Sequence, residues 1–90
     1  MRLNHLTEIK LNTTNLMSKL YLLDDNENSF DYVYASLMID LKMLPIQAES
    51  CCQIAHNVGR CHIKTADILE LIKIQTKLDE RNIQTEIVNE

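Results

Sequence analysis

Cys52 and His56 stand four residues apart, and Cys61 and His62 follow a few residues later. On a helix, positions i and i+4 share a face, so a thiolate and an imidazole there could reach one ion, with the adjacent pair beyond supplying two more ligands. The spacing matches no established zinc pattern, and Cys52 also falls on an apolar stripe, where a free thiol behaves as a small hydrophobe. No metal site or cofactor is therefore expected. Asp40 interrupts the edge of the same stripe, yet no second carboxylate or histidine lies within helical reach to make an acid–base pair. One glycine in the whole chain leaves no Gly-rich phosphate loop. No catalytic residue is assigned, and the chain is not expected to be an enzyme. Asp40 and Gln47 read as rim or internal hydrogen-bonding positions.

The elements that must position these residues are constrained by composition. Ninety residues suit one domain with a small core of its own. Apolar residues at 46% against 24% charged are too many for a disordered tail and too interrupted for a membrane protein. The start Met1-Arg2-Leu3-Asn4-His5 leads into no apolar signal region, so the chain is expected to stay inside the cell. Cys51, Cys52 and Cys61 are odd in number and two are adjacent, which suits a reducing compartment better than a disulfide scaffold. A net charge of -4 repels a phosphate backbone, so direct nucleic-acid binding is not expected.

With one Gly and one Pro, strands and hairpins have little to turn on, and the expected fold is all-α. Leu16, Met17, Leu20 and Tyr21 recur at helical spacing behind Asn12-Thr13-Thr14, which predicts a short helix over 13–22. Asp24-Asp25-Asn26-Glu27-Asn28-Ser29 is a polar break, and Asn28 or Ser29 can cap the next helix. From Phe30 to Val58, Phe30, Val33, Tyr34, Leu37, Leu41, Leu44, Ala48, Cys51, Cys52, Ala55 and Val58 stay in phase at 3.6 residues per turn, with Gly59 as the stop. One helix of that length spans roughly 43 Å, more than a small domain needs. Ile39, Met43 and Ile46 form a second apolar patch opposite the stripe. A helix apolar on two sides in so short a chain points to a partner protein. Pro45 costs an interior helix about 3 kcal/mol, and because the stripe keeps its phase across it, the prediction is one kinked helix. Residues 60–64 read as a brief extended link, and Thr65 as the cap of a third helix rich in Ile68, Leu69, Leu71 and Ile72. The stretch 76–90 reads as a C-terminal helix or tail.

Short helix, polar loop, long helix, Gly-Arg link and capped helix is an order that resembles the histone fold, most specifically over Ala55 to Leu69. The resemblance implies an ion pair between Arg60 in the second loop and Asp67 opening the third helix, and a guanidinium forked on a carboxylate at a helix start suits that geometry. The run from Ser18-Lys19-Leu20-Tyr21 through Asp24-Asp25 to Ile72 is similar to the TFIID subunit thirteen family. What that resemblance implies is a non-catalytic, nuclear subunit of a transcription initiation complex. It would pair head to tail with a histone-fold partner of the TFIID subunit eleven type, near the TATA-binding protein or other TFIID subunits.

On this reading residues 1–12 are an extension, 13–75 the histone-fold domain and 76–90 the C-terminal helix or tail. The expected partner-binding residues are Leu16, Leu20, Val33, Tyr34, Leu37, Leu41, Leu44, Ala48, Cys52, Ala55, Ile68, Leu71 and Ile72. The alternative is a DNA-binding subunit of a chromatin or centromere complex, because Ala55 to Glu80 also resembles centromere protein S. The first loop argues against it, offering Asp24, Asp25 and Glu27 with no lysine or arginine.

Overall fold

Ser18-Lys19-Leu20-Tyr21-Leu22, expected as the end of a short helix, belongs to strand β1 (Ser18–Leu23) in the computed structural model of this chain, which describes residues 17–89. Burial along it alternates strictly, with Ser18, Leu20 and Leu22 inward. A short apolar run does not distinguish helix from strand by periodicity, and here the period of two wins because the segment has a neighbour on each side. The elements that follow are α1 (Phe30–Leu41), α2 (Pro45–Val58), β2 (Arg60–Ala66), α3 (Ile68–Glu80) and β3 (Thr85–Asn89). The sheet order is β2-β1-β3, with β1 antiparallel to both flanking strands. This is an α/β fold, which overturns the all-α histone fold.

The long central helix is two helices. Lys42 leaves α1 in the left-handed region at φ 56°, and its N–H caps the Leu37 carbonyl. Leu44 is extended (φ -68°, ψ 151°), as the residue before a proline prefers, and Pro45 opens α2 at a position whose N–H has no helical acceptor anyway. Gln47 accepts a hydrogen bond at its Oε1 from the Leu44 N–H at 3.1 Å, so it serves the helix start rather than an interface rim. The stripe keeps its phase for a different reason from the one expected. Each helix carries its own stripe, and the two fold back on a shared core. Gly59 ends α2 at φ 108°, a backbone value that L side chains rarely adopt; since a Cβ there would meet nothing within 4 Å, conformation alone selects glycine.

The expected link after Gly59 is a full sheet strand. Its register against β1 slips between Leu20 and Tyr21, so that Ile63 bulges without a β1 partner. Asp67, not Thr65, caps α3, accepting from the Glu70 N–H at 3.1 Å. The stretch read as a C-terminal helix or tail instead finishes α3 at Glu80, turns through Asn82 at φ 64°, and returns as β3.

One face of the sheet carries the helices. Leu22 joins Val33, Leu37, Ala48, Cys51, Cys52, Ala55, Cys61, Leu78 and Ile83 in the larger cluster, while Leu20 packs with Ala66 and Leu71 in a smaller one. Across the other face Arg60 lies 4.1 Å over the Tyr21 ring and reaches Glu86 at 3.0 Å, spanning all three strands. The expected Arg60–Asp67 pair is absent for a geometric reason. Arg60 begins β2 and Asp67 follows its last residue, so an extended strand of about 3.3 Å per residue separates them.

Candidate functional site

Where β1 runs out toward α1, the acidic turn 24–28 forms the mouth of a cavity of about 290 Å³. Its apolar lining comes from three elements: Leu22 and Leu23 at the end of β1, Phe30 and Val33 on the first turn of α1, and Cys52 and Ala55 on α2. Asp24, Asp25, Asn28 and His56 add the polar groups. Largely apolar walls with a few converging polar groups are the usual make-up of a binding pocket.

The turn is anchored before it can bind anything. Asp24 N–H donates to the Gly59 carbonyl at 3.0 Å, Leu23 N–H to the Gln84 carbonyl at 3.2 Å, and Asn28 Nδ2 to the Asn82 carbonyl at 2.8 Å. Asp25 organises the loop from inside. Its Oδ1 accepts from the Glu27 and Asn28 N–H groups at 2.8 and 2.9 Å, and its Oδ2 accepts from Asn28 Nδ2 at 2.6 Å. Burial works against ionisation of Asp25, but the hydrogen bonds from Asn28 and Glu27 outweigh it and hold the carboxyl below its ordinary pKa.

Asp24 is different. Its carboxylate meets His56 Nδ1 at 3.5 Å, and the two side chains stay 37% and 73% exposed. Among the described residues no backbone donor reaches its oxygens as those on Asp25 do, so Asp24 keeps acceptor capacity for a guest. Ser29 caps α1 through its Oγ, which accepts from the Tyr32 N–H at 3.1 Å, and this fixes Phe30 at the lip, stacked 6.3 Å from Tyr34. The far end of α1 is held by Asp40, which takes a forked contact from Arg81 at 2.7 and 3.2 Å. That carboxylate raises the Arg81 pKa, chiefly through the hydrogen bonds it accepts from the guanidinium. Asp40 is thus an internal clamp between α1 and the end of α3.

The expected interaction residues are distributed otherwise than the stripe suggested. Val33, Leu37, Ala48, Cys52 and Ala55 bury one another in the larger cluster, and Leu20 and Leu71 do so in the smaller. Tyr34 and Leu41 pack partly against the larger cluster and Ile68 is half-buried, whereas Leu44 and Ile72 are exposed. Leu16 lies outside the described residues. The four residues weighed as metal ligands part company: Cys52 and Cys61 enter the core, His56 faces Asp24, and His62 lies edge-on to Tyr21 with Nε2 2.7 Å from Thr65 Oγ1. Among the described residues no cluster of three such ligands forms.

The sequence pattern of the ATP-dependent Clp protease adaptor protein ClpS matches residues 13–86. The chain belongs to the ClpS adaptor family. Among solved structures it is similar to Agrobacterium tumefaciens ClpS2 bound to L-phenylalaninamide, with a TM-score of 0.78 and 15% identity over 83% of this chain and 98% of that one. Among curated protein sequences, none matches this chain.

Membership of the ClpS family overturns the resemblance to the TFIID subunit thirteen family, and the centromere protein S alternative with it. The histone-fold partner, the contact with the TATA-binding protein and the nuclear placement rested on that resemblance and fall together; the family is one of adaptors for an ATP-dependent Clp protease. Asp24, Asp25 and Phe30 were visible in the sequence, but as an acidic loop that repels DNA and as the first residue of a stripe. An acidic pair directly after an apolar run and a few residues before a capped helix was the available signal. His56, 32 positions downstream of Asp24 in sequence, shows there only a ligand spacing to Cys52, and nothing links it to Asp24.

Proposed function

We propose that this ClpS-family chain is a non-catalytic adaptor that holds a polypeptide by an apolar N-terminal residue and delivers it to a Clp protease. The observation that carries the reading is the Asp24 carboxylate, with acceptor capacity to spare, at the mouth of a largely apolar cavity. A chain terminus with a free α-ammonium and an apolar first side chain complements both parts at once. L-phenylalaninamide, the molecule named with the Agrobacterium ClpS2 structure, has that chemistry: a cationic amine, an aromatic ring, and an amide in place of the next peptide bond.

In this arrangement the ring enters between Phe30, Val33, Cys52 and Ala55, and the ammonium donates to Asp24. His56 keeps the carboxylate turned toward the mouth and offers its own ring nitrogen to the guest. No covalent step is required of any residue. A fluorescent peptide beginning with phenylalanine, followed by anisotropy, tests the reading against the same peptide N-acetylated. Acetylation should abolish binding, because it removes the charge and fills the mouth. Asp24→Asn should weaken binding about tenfold, the lower end for a hydrogen bond to a charged group given how exposed Asp24 is. Equal binding of the free and acetylated peptides would sink the proposal.

A further inference from the structure

A second groove, about 550 Å³ in volume, opens on the other side of α2 between that helix and β2. Four consecutive β2 residues, 61–64, line it. Successive strand side chains point to opposite faces, so a cavity touched by four in a row runs along the edge of the strand rather than over one face. Among the described residues β2 is an edge strand, paired only with β1, and half of an edge strand's N–H and C=O groups point away from its neighbour. The opposite wall is an exposed apolar row on α2, Ile46 (71% exposed) and Ile54 (44%), continued by Met43. Met43 and Ile46 of the second apolar patch in the sequence end up here, whereas Ile39, on α1, is exposed outside the groove lining. The rim is basic, with Lys42, His62 and Lys64, although Lys64 also meets Glu70 at 3.5 Å. None of the described residues lining the groove is acidic, in a chain whose net charge is -4.

We infer that this groove binds an extended segment of a partner protein in which acidic and branched apolar residues alternate, added as a fourth strand on the open edge of β2. The parts supply the three things strand addition needs: free main-chain groups on β2, apolar seats on α2 for alternate side chains, and positive charge for the residues between them. The bulge at Ile63 divides the edge, so the guest pairs with the two stretches on either side of it. Two other occupants fit the charge poorly. Residues 1–16 carry Arg2 and Lys10 against Glu8, and a second copy would set Arg60 and Lys64 of one β2 against those of the other. The inference does not depend on the N-terminal-residue pocket.

The test is a backbone-amide NMR titration of the full chain with an N-acetylated peptide of alternating glutamate and valine. The acetyl group keeps it out of the pocket beside Asp24. Saturable shifts in residues 60–66 and on the Ile46–Ile54 face of α2 are expected, with slowed hydrogen exchange along β2. Lys42→Glu should weaken binding about fivefold, the size expected for one exposed charge pair, and Ile46→Glu should weaken it further. Both positions are exposed, so both variants keep the fold. An absence of shifts at millimolar peptide, shifts confined to the pocket around Asp24 and His56, equal binding of a lysine–valine peptide, or self-association through β2 would each overturn the inference.

Discussion

Replacing Pro45 by alanine separates the two-helix structure from a continuous helix by the sign of the effect. In a continuous helix the proline would lack one hydrogen bond and clash with the preceding turn, so alanine would stabilise the protein by about 3 kcal/mol. In the structure Pro45 is the first residue of α2, where its ring meets no helical carbonyl and its missing N–H has no acceptor to lose. Leu44 before it already sits at ψ 151°, the extended conformation a following proline favours. Alanine then gains nothing in the folded state and frees two residues in the unfolded chain, which costs about 0.4–1 kcal/mol. For a domain of this size that lowers the melting temperature by about 2–8 °C. Urea unfolding followed by far-ultraviolet circular dichroism reads the same loss as a lower midpoint with an unchanged slope. A Pro45→Ala protein more stable than the parent would refute the assignment of Pro45 to a helix start.

Two further outcomes follow from the ionisable groups. The folded-state pKa of Asp25 is below its ordinary value, so its contribution to stability is complete above the unfolded carboxylate pKa of about 4 and is lost as pH falls through the lower folded value. Asp25→Asn should therefore be less stable than the parent at neutral pH, with the difference closing in acid; a gap that persists in strong acid would contradict the hydrogen-bonded turn. Burial and the neighbouring Cys61 push the Cys52 thiol up to about 11 and raise Cys51 further. All three cysteines are buried, so a disulfide reagent should modify them slowly in the native protein and completely in urea. Rapid stoichiometric modification of the native chain would show that the α2–β2 seam is open.

Local chemistry was legible wherever a residue acts on its own neighbours. Ser29 as a cap, Gly59 as a stop and the polar break 24–29 require only the backbone within a few residues. Pairing was not legible. Leu20 to Leu23 satisfy helix and strand patterns equally, and the decision comes from β2 and β3, which are 37 or more residues away in sequence at their nearest ends. The phase continuing across Pro45 was read as one helix because periodicity records which side of an element is apolar, not whether the chain has turned back between its halves.

The sequence by itself determined that this is a small acidic chain with an apolar stripe on each of its helical stretches, three thiols suited to burial and an acidic turn. Those properties are sums or short-range patterns, and no contact map is needed to read them. Only the tertiary structure decided that the stripes of α1 and α2 cover each other instead of waiting for a histone-like partner, and that Arg60 spans the sheet to Glu86 rather than reaching Asp67. It also decided that Asp24 and His56, distant in sequence, share one pocket. Each of these depends on which strand edge meets which, a choice made by burial across the whole core and by backbone pairing over long separations.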